Sequence, residues 1–157
     1  MPLPARMTYY NSFILPYLSF NILHWGNTNN THLNPLFISQ KRIVRTIADA
    51  EYLEHSTPLF YRLKILKLSD LYKFHAVLDT FKKLKCGHYV TCRYNVSSRH
   101  GKLALPKFHR LTRTQQSLSF SGPNLWNSLP RDLRDIESYS LFKANLKLYY
   151  LNQYLVV

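Results

Sequence analysis

The chain is poor in the residues that most often build catalytic sites. It has four glycines in 157 residues, and neither G-x-x-x-x-G-K nor G-x-G-x-x-G occurs. A backbone cradle for nucleotide phosphates is therefore not expected. Acids are equally scarce. The eight are Asp49, Glu51, Glu54, Asp70, Asp79, Asp132, Asp135 and Glu137, and no two are adjacent. Metal-assisted phosphoryl transfer needs two carboxylates brought together, and Asp132 and Asp135 are interleaved with Arg131 and Arg134, which suggests surface pairing instead. The seven histidines are scattered without H-E-x-x-H, and no nucleophile elbow surrounds a serine. Catalysis, a bound metal and a cofactor are not expected of this chain.

Cysteine is nearly absent as well. Cys86 and Cys92, in "CGHYVTC", are too few for a zinc site unless a distant ligand joins them. They can be two ordinary thiols, or a disulfide in an oxidising compartment. Long apolar runs are missing: "FILPYLSFNILHW" is thirteen residues, interrupted by Pro16 and Asn21, too short to span a bilayer. No convincing leader cleavage site follows it. The sequence reads as intracellular, nuclear or cytoplasmic, with no membrane span.

What is abundant is positive charge. Twenty-one Lys and Arg face eight acids, for a net charge of +13. Residues 80–131 contain ten Lys or Arg and no acid. Such a field favours polyanions, namely RNA, DNA or an anionic membrane surface; a solvated basic face is the plainer alternative. Aromatics are also frequent, with twelve Tyr, nine Phe and two Trp, and the apolar fraction of 46% suits a folded chain.

Apolar spacing predicts mainly helices. Residues 9–25 read as an apolar core helix with a kink or break at Pro16, stopped by Gly26 and Asn27. A second helix is expected from a cap at Thr31, with Pro35 near its first turn. Leu36, Ile43, Val44 and Ile47 form its apolar stripe; Gln40, Lys41, Arg42 and Arg45 fall on the other face. Thr57 and Pro58 open a short third helix. Ser69 is expected to cap a longer one, to about Leu84, with Leu71, Phe74, Leu78 and Phe81 inward. Residues 86–98 read as loop or ragged hairpin, and residues 102–121 show weak alternation compatible with two short strands. "GPNLWNSLP", residues 122–130, reads as a tight turn around one helical turn, with Trp126 as anchor beside Leu125 or Leu129. Ser138 then caps a final helix carrying Leu141, Phe142, Leu146, Tyr149 and Tyr150 inward. The expected class is a mainly α, bundle-like helical segment over residues 1–85. A basic loop or two-stranded region and a C-terminal amphipathic helix make up residues 86–157.

The ordered series "PYLSFNILHWGNT", "NPLFISQKRIVRTI", "STPLFYRLKILKLSDLYKF", "GPNLWNSLP" and "SYSLFKANLKLYYL" resembles the C-terminal, thumb-like and downstream part of reverse transcriptases from non-LTR retrotransposons, the LINE-type and jockey-like elements. The resemblance runs over nearly the whole chain. It implies a segment lying beyond the polymerase palm of an RNA-directed DNA polymerase. The F-A-D-D-type carboxylate pair of that palm does not occur here, nor does the endonuclease that often opens these proteins. A truncated reading frame without polymerase activity of its own is the expectation.

A thumb grips the template–primer duplex through its backbone, which calls for Lys and Arg without base specificity. The candidate contacts to RNA, DNA or an RNA–DNA hybrid are Lys41, Arg42 and Arg45, then Lys82, Lys83, Lys85, Arg93, Arg99, Lys102, Lys107, Arg110 and Arg113. Tyr89, Tyr94 and Phe108 can stack on bases or simply pack. The rival expectation is a protein-interaction module, or a non-functional relic, whose apolar face packed on the missing palm.

Overall fold

The computed structural model describes residues 1–86, 110–111 and 117–155. They are mainly helical, and no strand forms among them. The chain divides into two compact units, one of Met1–Tyr72 with Tyr149–Val157, the other Lys73–Leu148.

The first unit opens with α1 (Leu3–Tyr9), a π-helical turn (Tyr10–Ile14), α2 (Leu15–Ser19) and α3 (Ile22–Trp25). Pro16 has no N–H, and its ring would collide with the carbonyl four residues back in a regular helix. The chain answers with the wide turn just before it, in which the Leu15 N–H reaches back to the Tyr10 carbonyl. The break expected at Pro16 falls later, at Phe20 and Asn21, where Asn21 takes a left-handed conformation (φ 52°). This stretch is not a core helix. Tyr10 and Ile22 are buried, whereas Tyr9, Phe13, Tyr17 and Phe20 are exposed.

Helix α4 (Asn30–Ala48) starts after Asn29 rather than Thr31, so Pro35 lies inside it, in the second turn. Val44 and Ile47 are buried, Ile43 is half-buried, and Leu36 is exposed. The unexpected member of the buried face is Gln40, 1% exposed. Its C-terminus ends on Asp49 in a left-handed conformation (φ 54°). Arg6 and Arg62 converge there, while Arg45 of the last turn reaches onward. Arg6 donates to the carbonyls of Thr46 and Ile47 and pairs with the Asp49 carboxylate. Arg62 donates to the Ala48 carbonyl at 3.3 Å, and Arg45 to the Glu54 carbonyl at 2.8 Å. Cations on the last carbonyls complement the negative end of a helix dipole.

Helix α5 (Ser56–Arg62) leads through a short connection to α6 (Leu68–Lys85), which begins in the first unit and continues in the second. Ser69 does not cap α6. The first helical N–H groups are orphans that some acceptor must satisfy, and here the acceptors come from far away. The Leu68 N–H donates to Gln40 Oε1 at 2.9 Å, and the Lys67 N–H to the Tyr154 hydroxyl at 2.9 Å. Gln40 Nε2 in turn donates to the Leu66 carbonyl at 2.9 Å. One buried amide thus holds both sides of the connection, which is why a polar side chain stands in the apolar stripe.

In the second unit Phe74, Leu78 and Phe81 of α6 are buried at the predicted helical spacing; Leu71, the first of that stripe, is buried in the first unit. After the undescribed stretch comes α7 (Leu118–Asn127), then α8 (Arg131–Arg134). The helical turn expected within "GPNLWNSLP" is thus the end of a ten-residue helix, with Ser128 and Leu129 turning after it, and residues 118–121, which the strand expectation included, are helical too. The rest of that expectation, and most of the expected loop over residues 86–98, lies outside the described residues. Proline usually forces the preceding residue out of helical conformation by a clash involving its Cβ. Gly122 has no Cβ and so lacks part of that clash, and the helix runs through Pro123. The same absence admits α6: a Cβ on Gly122 would stand 2.6 Å from Thr80 Oγ1. Helix α9 (Tyr139–Asn152) follows Ser138 and ends in a 3₁₀ turn (Gln153–Leu155). Phe142 and Leu146 are buried in the second unit and Tyr150 in the first; Tyr149 is half-buried, and Leu141, expected inward, is 55% exposed.

Candidate nucleic-acid interface

The aromatic centre of the second unit determines where its cations stand. Phe81 and Phe142 stack with centroids 4.5 Å apart and planes 15° from parallel. Trp126, 2% exposed, lies 5.6 Å from Phe142 and 6.1 Å from Phe81. Leu129 is buried too and Leu125 half-buried. These rings lock α6, α7 and α9 together, so residues one step round α6 and α9 are pushed to the surface side by side. Lys82 Nζ sits 5.0 Å over the Tyr139 ring, an attraction between cation and aromatic quadrupole. Lys85 Nζ lies 5.7 Å over Phe81. Lys83 is held by Asp79 at 2.6 Å on its own helix.

Lys143, one turn along α9 from Tyr139, is exposed. Its field reaches His75 on α6. Burial, then the ammonium groups of Lys143 and Lys82, hold the His75 imidazole below its ordinary value. Neither Lys143 nor His75 was singled out from sequence. The signal was present in α9, where Tyr139 and Lys143 are four apart, but nothing local says that α6 brings Lys82 and His75 to them.

In the first unit the basic side of α4 is less uniform than its sequence suggests. Arg42 is exposed. Lys41 is half-buried with Nζ 4.4 Å over the Phe37 ring. Arg45 is half-buried and directs Nε to the Glu54 carbonyl. Gln40 has left this face for the interior. Lys67 joins the patch from the connection before α6, its Nζ 4.3 Å over the Tyr154 ring. Its ammonium is pulled below the usual lysine value by burial first, opposed by the Asp70 carboxylate and assisted by Lys41.

Of the remaining candidates, Arg110 is exposed, while Arg93, Arg99, Lys102, Lys107 and Arg113 lie outside the described residues, as do Tyr89, Tyr94 and Phe108. Cys86 is exposed and Cys92 is likewise outside them. Among the described residues no group of His, Cys, Asp or Glu is placed to hold a metal ion, and no helix is long and apolar enough to cross a membrane. Comparisons with protein-family models, curated proteins and solved structures find no match to the chain.

Proposed function

We propose that this protein is a non-catalytic nucleic-acid-binding module, similar in kind to the thumb-like and downstream part of non-LTR reverse transcriptases, that contacts the phosphate backbone of RNA, DNA or an RNA–DNA hybrid through basic helices. The observation that carries the reading is how the acids are spent. Asp49 is paired with Arg6, Asp79 with Lys83, Asp135 with Arg131, and Asp70 accepts from Tyr154. These contacts take up four of the eight acids, and the net charge of +13 gives a positive field; exposed Arg42 in the first unit, and exposed Lys82, Lys85 and Lys143 in the second, stand outside those pairs. Backbone recognition needs that field and no base-edge geometry.

The test is a titration of the full chain with RNA–DNA hybrids of two unrelated sequences over a range of salt. Equal affinities, with log K falling linearly against log salt, are expected. Absence of binding at low salt overturns the reading. Template-dependent nucleotide incorporation by the same preparation would overturn the non-catalytic part of it.

A second reading, a protein-interaction module, is favoured by one observation. Tyr9, Phe13, Tyr17 and Phe20 are all exposed within twelve residues, Tyr17 83% and Phe20 78%, and the Tyr9 and Phe13 rings touch. Such a surface is unusual on a free monomer. Self-association without nucleic acid, relieved by Tyr17→Ser with Phe20→Ser, is its signature.

A further inference from the structure

We propose that His75 and Lys82 of α6, with Lys143 of α9, form a phosphate-binding site at which a backbone phosphate binds together with a proton. The inference rests on the nucleic-acid reading and assigns it a specific site. Its geometry comes from the second unit alone. The Phe81–Phe142 stack holds α6 against α9. Lys82, though exposed, places Nζ 5.0 Å over the Tyr139 ring of α9. Lys143 lies one helical turn from Tyr139, and His75 two turns from Lys82 on the same side of α6. The His75 ring is itself oriented by an edge contact with Phe74 at 5.6 Å.

The charges around His75 can be counted by element. On α6 the nearest acid, Asp79, is taken by Lys83, and Lys73 and Lys82 add positive charge. On α9 Lys143 and Lys147 are both cationic. Helix α7 carries no charged residue. His75 therefore meets two nearby ammonium groups and no carboxylate that is not already paired. That arrangement disfavours a third positive charge, consistent with the lowered imidazole value. A phosphate between the two lysines reverses the sign of the local field. It favours the imidazolium, which then donates a charge-assisted hydrogen bond to the anion.

Binding and protonation are thus linked. The His75 value lies below its ordinary 6.5 when the site is empty and should rise when the site is filled. Affinity should increase as pH falls through the window between the two values. A rise of about one pH unit corresponds to about tenfold tighter binding on the acid side.

Two measurements on the full chain decide it. The imidazole resonances of His75 are titrated with and without a short RNA–DNA hybrid, and in a separate arm with inorganic phosphate alone. A raised His75 value in the presence of hybrid is expected, with a smaller rise in phosphate. Lys143→Gln should raise the value in the free protein and shrink the hybrid-induced rise. Hybrid affinity is then compared at pH 5.5 and 7.5 for the wild type and for His75→Gln. The variant should lose the part of the pH dependence that His75 supplies, leaving that of the other histidines. Hybrid that binds while His75 does not move, or an unchanged pH dependence in His75→Gln, overturns this site and leaves the wider reading standing. Absence of any hybrid binding overturns both.

Discussion

Tyr154 donates a 2.7 Å hydrogen bond to the carboxylate of Asp70, 84 residues earlier in the chain. The same hydroxyl accepts the Lys67 N–H at 2.9 Å, and its ring lies under the Lys67 ammonium. The end of the chain thereby completes the start of α6. Tyr154→Phe keeps the ring but removes one donor from a buried carboxylate and the acceptor of the Lys67 N–H. Denaturant unfolding should show a loss of about 1–3 kcal/mol.

Alkaline pH should attack the same unit. Burial raises the hydroxyls of Tyr10, Tyr150 and Tyr154 above the ordinary tyrosine value, and the Asp70 carboxylate adds to the rise at Tyr150 and Tyr154. A value raised in the folded state means that the protonated form is the stabilising one. Stability is complete below the unfolded value of about 10 and declines as pH climbs beyond it. Melting temperature against pH should fall on that side, and tyrosinate absorbance should show a late-titrating group. A melting temperature flat to strongly alkaline pH would contradict the burial of these hydroxyls.

Gly122 and Thr80 test the contact between α6 and α7. Gly122→Ala places a methyl 2.6 Å from Thr80 Oγ1, which is buried and already donates to the Ala76 carbonyl. Overpacking of this kind should destabilise by about 1–3 kcal/mol. Thr80→Ala removes the colliding atom, so the double variant should recover part of the loss. Strict additivity of the two substitutions would place the strain elsewhere.

Trp126→Ala should lower stability by about 3–5 kcal/mol, because the indole fills the space beside Phe81 and Phe142. A thermal melt alongside a hybrid titration separates packing from recognition. An unshifted melting temperature with weakened binding would mean that the indole serves the ligand instead.

Charge substitutions should divide by how each cation is held. Neutralising Lys41, Arg42 and Arg45 together should lower affinity for all sequences alike. The salt slope should flatten by up to about three units, and by fewer because Arg45 directs Nε to the Glu54 carbonyl. Lys82→Gln with Lys143→Gln should flatten it by up to about two. A slope unchanged by both would move the contacts to other basic residues.

Local pattern was enough for the helical class, because apolar residues at helical spacing have one economical way to leave water together. Leu71, Phe74, Leu78 and Phe81 announced the inner face of α6, and the excess of cations is the ground for proposing a polyanionic partner but gives no location for it. Three features depended on tertiary structure. Gln40 reads as surface among Lys41, Arg42 and Arg45, yet lies inside because α6 offers an orphan N–H that its own Ser69 does not satisfy. "GPNLWNSLP" reads as a tight turn around one helical turn, yet its first six residues complete a longer helix, at a point where the missing Cβ of Gly122 lets Thr80 approach. His75 and Lys82 lie two turns apart on α6 and Lys143 lies on α9, and only the packing of α6 on α9 through Phe81 and Phe142 brings Lys143 to that side. Spacing along the chain reports which side of a helix a residue is on; which other helix that side meets is decided by packing between residues far apart in sequence.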